Sequence, residues 1–290
     1  MPFFSVIIPT YNRADLITNS INSVLNQKFK DLELIIVDDG STDSTREVIQ
    51  QIDDPRIHYV FQVNAERGAA RNKGVSLAKG KYVFFLDSDD LLYEEHLQHA
   101  YSEINALDSP AFFHVRYELK SESGIIKSTP LLNTRTILRK TLKQNQFACQ
   151  FFLKRDIALQ FPFSENKKLK IGEDWEVVLK IAVRHPLYFS NRKLAAIVQH
   201  GGRTMQLASA DSILTSRDIL ISNLSEDRLI SGPIKSNVWA ELTHLAALSY
   251  AIECQKKLAR KCLSDSIKSN FGLIFTRRTL AIFKKLIFTN

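Results

Sequence analysis

The first hundred residues alternate short apolar runs with amphipathic segments. Four runs rich in β-branched or aromatic residues predict buried strands, at 5–9, 32–37, 57–61 and 82–86. Apolar residues at helical spacing predict a helix after each strand, at about 14–26, 44–51, 68–77 and 94–107. This alternation predicts right-handed βαβ units and an α/β fold with a mostly parallel sheet.

The pattern is less regular beyond residue 110. Further strands are predicted at 111–117, 147–153 and 194–198, and a helix at about 175–183. From about residue 209 the spacing is helical, with a break at Gly232-Pro233.

Polar clusters follow three of the four early strands, at 10–12 (Thr-Tyr-Asn), 38–39 (Asp-Asp) and 87–90 (Asp-Ser-Asp-Asp). Because ligands of parallel α/β sheets bind beyond the carboxyl ends of the strands, we expect the clusters to share one rim. Asp87 and Asp89 are suited to hold a hard divalent cation that also takes substrate phosphates. The alternative is a loop whose aspartates cap the following helix, and Asp38-Asp39 is open to the same two interpretations.

Composition places the chain among globular proteins. Its 290 residues are 44% hydrophobic and 24% charged, with 10 Gly and 8 Pro, which excludes disordered and collagen-like chains. Three cysteines without a CxxC pair exclude a disulfide scaffold and favour a reducing compartment. No apolar run is long enough to span a membrane, and the first residues lack the basic region of a signal peptide, so we expect a cytoplasmic protein.

The net charge of +8 is unevenly distributed. Residues 256–290 hold nine basic residues and one acid, so this segment alone accounts for the whole excess. The rest of the chain is neutral, which argues against a nucleic-acid-binding surface over the body.

Four ordered motifs resemble those of family 2 glycosyltransferases with the GT-A fold. They are 6–13 (VIIPTYNR), 36–43 (IVDDGSTD), 64–74 (NAERGAARNKG) and 85–90 (FLDSDD). The resemblance covers residues 4–95, weakens to residue 200 and ends near 205. It implies a Rossmann-like, mixed and mostly parallel sheet flanked by helices, with a helical C-terminal extension.

The resemblance implies domain bounds as well. We expect a catalytic domain over 1–205, with a nucleotide-binding half at 1–95 and an acceptor-side half at 96–205. A helical region over 206–290 follows.

The resemblance also assigns roles to the matching residues near the base. Pro9, Tyr11 and Asp39 would line the uracil pocket of a UDP-sugar, with Asp39 accepting a hydrogen bond from the ring N–H. Either Arg67 or Arg71 would reach the base or the diphosphate.

A second group of matching residues would hold the phosphates and the metal. Asp87 would lie by the ribose and the metal, with Ser88 beside it, and Asp89 would ligate Mn²⁺ or Mg²⁺. His200 would contact the metal or the diphosphate, unless it is an ordinary surface histidine. Arg203 would contact phosphate by the same reasoning.

The sequence Gly172-Glu173-Asp174 resembles the acidic motif before the family's acceptor-side helix. Asp174 would then be the general base that takes the proton from the acceptor hydroxyl, with Glu173 as its competitor. The alternative is that both acids only cap the helix that follows. No Gln-x-x-Arg-Trp follows, which favours transfer of one sugar per encounter over polymer extrusion.

The resulting hypothesis is a metal-dependent, inverting transferase of a hexose or N-acetylhexosamine. Its acceptor would be a glycan or a lipid-linked saccharide, in bacterial surface-polysaccharide synthesis. A non-catalytic nucleotide-sugar binding module is the alternative. A dinucleotide oxidoreductase lacks its Gly-rich turn after the first strand, and a phosphohydrolase would carry its Asp after the first strand rather than the fourth.

The segment 264–290 combines apolar stripes at helical spacing with basic residues. One stripe is 267, 271, 274 and 275, and the other is 282, 283, 286 and 287. Such a pattern suits the surface of an anionic membrane, which would make the protein peripheral on the inner face of the cell membrane. The alternative is packing on the protein's own core or on a second copy, as a homodimer through the C-terminal helices.

Overall fold

The computed structural model describes residues 1–121, 124–200 and 208–288, and within these the chain forms two compact units. The first comprises the described residues of 1–137, 147–165 and 184–200. The second comprises 138–146, 166–183 and the described residues from 208 onward. The units therefore interleave along the chain, and the domain boundary at residue 205 stays a prediction.

A mixed sheet of nine strands forms the centre of the first unit, counted over the described residues. Its strands are β1 (Phe4–Thr10), β2 (Leu32–Asp38), β3 (Ile57–Phe61), β4 (Tyr82–Phe85), β5 (Leu91–Leu92), β6 (Phe112–Ser121), β7 (Gly124–Ser128), β8 (Phe151–Lys154) and β9 (Tyr188–Val198). The order is β3-β2-β1-β4-β8-β6-β9-β5, with β7 paired to β6.

The first four strands are parallel and set the rim of the sheet. Thr10 lies opposite Asp38 on the neighbouring strand, and Ile7 lies opposite Phe85. The loops that follow β1, β2 and β4 therefore leave the sheet at the same edge, as the sequence predicts.

Helices cover the sheet of the first unit. They are α1 (Ile17–Leu25), α2 (Thr45–Gln50), α3 (Glu66–Leu77), α4 (His96–Ala106), α6 (Arg155–Gln160) and the first half of α5 (Thr134–Thr141). Every residue of β1 and β2 is buried, because helices pack on both faces of these central strands. Aromatic rings add to this core, with Phe84 and Phe152 4.5 Å apart between centroids.

The second unit is helical. Its helices are α7 (Glu173–Ala182), α8 (Ala210–Ser225), α9 (Gly232–Ile252), α10 (Lys256–Ser269), a 3₁₀ turn (Phe271–Phe275) and α11 (Arg277–Phe288). Trp175 and Leu179 of α7 pack with apolar residues of α8 and α9 in one core cluster. A second cluster joins α9, α10 and α11. None of the described helices is both long and apolar enough to cross a membrane.

Several elements differ from the sequence-based expectation. The short strands β5 and β7 and the helices α5 and α6 were not predicted. The two residues of β5 form a strand only by pairing with β9, which is distant in sequence. The break at Gly232-Pro233 is the start of α9, where a proline is tolerated since the first-turn N–H groups need no helical partner.

Close packing of α3 on β1 depends on a glycine. A Cβ at Gly74 would lie 2.4 Å from Ile7 Cγ2 on the buried central strand. We expect Gly74→Ala to lower the free energy of unfolding by about 1–3 kcal/mol, as overpacking of a core does. Denaturant unfolding measures the change. The matched control is Gly232→Ala, whose Cβ would meet nothing within 4 Å, and equal stability of the two variants would contradict the packing argument.

Candidate functional site

The loops after β1 and β2 are fastened to each other. Asn12 adopts a left-handed backbone conformation (φ 51°), and its Oδ1 accepts a hydrogen bond from the Thr42 N–H at 2.8 Å. The Asn12 N–H in turn donates to Ser41 Oγ at 2.9 Å. Tyr11 projects from this junction with 46% of its surface exposed, whereas Pro9 is buried within β1. The exposed side chain of Tyr11 is therefore carried by a loop whose backbone is held by hydrogen bonds.

Asp38 and Asp39 are both buried, and they have different partners. Asp38 accepts hydrogen bonds from the Ser41 N–H at 2.8 Å and from the Tyr59 hydroxyl at 2.8 Å. Burial raises the pKa of Tyr59, and the bond to Asp38 adds to the rise, so the phenol stays protonated as a donor. Both oxygens of Asp38 thus serve the loop itself.

Asp39 instead links β2 to the start of α3. Its Oδ1 accepts from Gln62 Nε2 at 2.7 Å and from the Ala65 N–H at 2.9 Å. Among the described residues, the two donors to this carboxylate therefore both bond to Oδ1. Two bonds on one oxygen fix the side-chain orientation and leave Oδ2 as an acceptor for a ligand donor.

Three carboxylates converge after β4. Asp87, Asp89 and Asp90 each offer an oxygen, and these atoms lie within 4.8 Å of one another. Arg71 Nη2 lies 2.9 Å from Asp87 Oδ1, and the Arg71 side chain is 2% exposed whereas that of Asp87 is 35% exposed. The Arg71 guanidinium also lies over the Phe163 ring, 5.2 Å from its centroid. The buried guanidinium of Arg71 thus offsets part of the electrostatic repulsion among the three carboxylates.

His200, two residues after the end of β9, extends the cluster. Its Nε2 lies 2.8 Å from Asp89 Oδ2, and both side chains are mostly buried. The structure therefore brings together Asp87, Asp89 and His200, the residues for which the sequence suggested a metal role. Arg203 lies outside the described residues.

Asp90 has a role that sequence reasoning did not assign. It is 1% exposed, and its Oδ1 accepts from the Val198 N–H at 3.1 Å while its Oδ2 accepts from Gln150 Nε2 at 3.0 Å. The Gln150 carbonyl accepts from Nδ1 of His114, a histidine whose pKa burial lowers to about 4. Asp90 thus ties the acidic loop to the end of β9, two residues before His200. The Asp90 position was visible in the 87–90 cluster, but nothing in the sequence pointed to Gln150.

Two further predicted donor-binding residues lie on the same rim. Ser88 is nearly buried between the acidic residues, and Arg67 is half-buried in the first turn of α3. Arg67 lies after β3 and Ser88 after β4, and because β1 to β4 pair in parallel, both residues lie on segments that leave one sheet edge. The roles suggested for Arg67, Arg71 and Ser88 stay predictions.

Asp174 lies in the second unit, at the first turn of α7. Gly172, with φ 90°, allows the chain to enter the helix, and Asn145 Nδ2 donates to Asp174 Oδ2 at 3.1 Å. Glu173 is buried, whereas Asp174 is half-buried. Trp175, the next residue, is anchored by its indole N–H to the Thr141 carbonyl at 2.8 Å. Asp174 thus lies in the first turn of α7, where the helix dipole favours an acidic side chain.

The fold is a mixed α/β sheet with an acidic cluster at one edge, and comparison with known sequences gives the family. The sequence model described as glycosyl transferase family 2 matches residues 5–158, more than half of the chain. The chain therefore belongs to glycosyl transferase family 2.

Curated relatives match parts of the chain. The putative teichuronic acid biosynthesis glycosyltransferase TuaG of Bacillus subtilis is 43% identical over 133 residues, which are 45% of this chain and 51% of TuaG. The chondroitin synthase of Escherichia coli is 28% identical over 268 residues, 91% of this chain and 37% of the synthase. The chain thus spans about half, or less, of the length of these relatives.

Solved structures share the fold. Staphylococcus aureus TarS 1–349 in complex with UDP-GlcNAc has a TM-score of 0.68 at 23% identity, over 93% of this chain and 81% of that one. The mannosyltransferase PcManGT of Pyrobaculum calidifontis in complex with GDP-Man and Mn²⁺ has a TM-score of 0.60 at 17% identity, over 99% and 87%. At these identities the likeness concerns the fold alone, and it confirms the GT-A architecture predicted from the sequence.

The contacts of Asp90 predict a structural contribution. In Asp90→Asn, one of the two oxygens becomes an NH₂ group that faces the donor of either Val198 or Gln150. A buried donor left without an acceptor costs about 1–3 kcal/mol, so we expect a loss of that size in the free energy of unfolding. Denaturant unfolding measures it. Asp53→Asn, at an exposed position, is the control, and wild-type stability of both variants would show that Asp90 does not hold the loop.

Proposed function

We propose that this chain is an inverting, metal-dependent glycosyltransferase that moves a hexose or N-acetylhexosamine from a UDP-sugar. The acceptor would be a hydroxyl of a glycan or lipid-linked saccharide in bacterial surface-polysaccharide synthesis, and transfer would be non-processive. The observation that carries the proposal is the acidic cluster after β4, on the same sheet edge as Asp39, whose carboxylate accepts both of its hydrogen bonds through Oδ1. Relatives named for teichuronic acid and chondroitin synthesis support the pathway. The cytoplasmic location stays a prediction.

The donor base is assigned to the loops after β1 and β2. Uracil presents an N3–H donor between two carbonyl acceptors, and the Oδ2 of Asp39 suits that donor. Because Gln62 and Ala65 hold Oδ1, the carboxylate keeps its orientation before the ligand arrives. The Tyr11 ring offers an exposed flat surface for the base, and Pro9, buried within β1, would line the pocket beside it.

The acidic cluster suits a divalent cation. Carboxylate oxygens are the ligands that Mn²⁺ and Mg²⁺ prefer, and imidazole is accepted by Mn²⁺. Asp90 is buried, whereas Asp87 and Asp89 are only partly buried, so Asp87 and Asp89 would hold the ion, with His200 beside Asp89. When bound, such an ion neutralises the negative charge that develops on the leaving diphosphate. Arg71 keeps Asp87 oriented for this role.

The acceptor hydroxyl needs a base, and Asp174 is the residue we assign. As the hydroxyl oxygen attacks the anomeric carbon, its proton passes to the carboxylate while the bond to the UDP oxygen breaks. Attack opposite the leaving group inverts the configuration at that carbon. The hydrogen bond from Asn145 orients the carboxylate, whereas the burial of competing Glu173 limits its access to an acceptor.

Nucleotide selectivity tests the donor assignment. We expect Mn²⁺-dependent binding of UDP that is at least about tenfold tighter than that of GDP, because Asp39 accepts from the uracil N3–H. Asp39→Ala should weaken UDP binding by about tenfold or more, as loss of a charge-assisted hydrogen bond does. Calorimetric titration measures both affinities.

Two controls accompany this titration. Asp53→Ala, at an exposed position, should bind UDP as the wild type does. Asp89→Ala should keep the fold and lose the Mn²⁺ dependence. Equal affinities for GDP and UDP would remove the uridine assignment, and unchanged Mn²⁺ dependence in Asp89→Ala would remove the metal assignment.

The base assignment is tested by two substitutions that preserve size. Asp174→Asn should bind UDP as the wild type does and lower the rate of sugar transfer by at least ~10²-fold, the usual cost of losing a general base. The readout is UDP released from the donor, with acceptor present or with water as acceptor. Glu173→Gln is the matched variant, and a loss there with near-normal Asp174→Asn would move the base by one position. UDP binding without any sugar transfer by the wild type would favour the non-catalytic binding module.

A further inference from the structure

The C-terminal part of the second unit exposes an unusual number of large apolar side chains. The residues, each at least 38% exposed, are Phe271, Ile274, Phe275, Leu280, Phe283 and Ile287. We call these six residues the C-terminal apolar surface. Phe275 is 81% exposed and Phe271 65%, and their rings meet edge to face at 5.8 Å. Contiguous aromatic exposure of this kind marks an interaction surface.

Helix α11 carries two apolar strips. Ile282 and Leu286 are buried against α9 and α10, and Thr279 is buried on the same side. Leu280, Phe283 and Ile287 each follow one of these three by a single position, so they lie about 100° further round the helix. Packing on the protein's own core therefore accounts only for the inner strip, which is Thr279, Ile282 and Leu286. The outer strip, which is Leu280, Phe283 and Ile287, lies at the surface. The side chain of Phe288 and residues 289–290 lie outside the described residues.

The helix is also anchored by an ion pair. Arg278 Nη1 lies 2.7 Å from Glu241 Oε1 on α9. The Thr279 hydroxyl bonds Nε2 of the buried His244 at 2.8 Å. These contacts and the inner strip hold α11 in place, so the outer strip is presented by a fixed scaffold.

The charge around this surface has one sign. Residues 266–288 hold five basic residues and no acid. Arg277 and Lys284 are exposed and lie seven positions apart, which places them on one side of α11, next to the outer strip. An apolar strip bordered by cations is the pattern of helices that lie in the interface of an anionic bilayer.

We propose that the C-terminal apolar surface docks on an anionic lipid bilayer, with Phe275 and Phe283 entering the interface and Arg277 and Lys284 meeting the phosphate groups. Apolar insertion alone or basic charge alone does not give stable attachment to a bilayer, but the two contributions reinforce each other. This inference goes beyond the proposed function, because it concerns where the protein resides rather than what it transfers.

A second copy of the chain is a poorer occupant. In a twofold dimer the same patch meets itself, so Arg277 and Lys284 would face their own equivalents. With no acid between residues 266 and 288, that contact has no compensating charge. An anionic surface satisfies the apolar strip and the cations together.

Co-sedimentation of the full chain with lipid vesicles tests the proposal. We expect binding to vesicles of equimolar phosphatidylcholine and phosphatidylglycerol, none to phosphatidylcholine alone, and weaker binding as salt is raised. The double variant Phe275→Ser/Phe283→Ser should lower the affinity by about tenfold or more. Arg277→Glu/Lys284→Glu should lower it comparably.

Matched controls change residues outside the surface. Leu159→Ser/Leu229→Ser removes two exposed apolar side chains, and Lys168→Glu/Arg228→Glu reverses two exposed charges. Both should bind vesicles as the wild type does, and thermal unfolding verifies that every variant is folded. No donor or acceptor is present, so the result is independent of the transfer reaction.

Three outcomes would overturn the proposal. The first is a wild type that binds neither kind of vesicle. The second is a Phe275→Ser/Phe283→Ser variant that binds as well as the wild type. The third is a wild-type dimer, seen by sedimentation velocity without vesicle binding, that the same variant dissociates, since this would identify a second copy as the occupant.

Discussion

The parallel pairing of β1 with β2 and β4 is the constraint on which the donor side depends. Because the three strands run the same way, the loops after Thr10, Asp38 and Phe85 leave the sheet at one edge. Full burial of β1 and β2 fixes the register, since a slip by one residue would exchange the side chains facing the two helical layers. Gly74 lets α3 pack closely on β1. Helix α3 carries Arg67 and Arg71, which therefore stay close to the same edge.

Carboxylates at such an edge would repel one another, and the structure offsets the repulsion in different ways. Arg71, buried against Phe163, pairs with Asp87. Val198 and Gln150 donate to Asp90, so that this carboxylate serves as a tie between the acidic loop and β9. Asp89 Oδ2 lies 2.8 Å from Nε2 of His200. The cluster therefore combines one buried carboxylate, which ties the acidic loop to β9, with two that are only partly buried.

Much of the first unit was predictable, because its signals are local. The strand 57–61 was predicted with the bounds that the structure shows, and the neighbouring elements agree to within two or three residues. The two-residue strand β5 was not predictable, since it exists only through pairing with β9, which is distant in sequence. The candidate site likewise has some residues that local sequence motifs reveal and others that only the fold brings together. Asp87 and Asp89 were visible in a motif, whereas Gln150 reaches Asp90 across 60 positions of sequence.

The sequence by itself determined the family, the α/β alternation, the polar clusters at the strand ends and the concentration of positive charge near the C-terminus. These features are written in short stretches, where periodicity and motif spacing suffice. Only the tertiary structure decided which protein groups contact each carboxylate of the acidic cluster. It also decided which apolar residues of the C-terminal helix are buried, because Ile282 and Phe283 are equally apolar in sequence and only packing against α9 and α10 separates them.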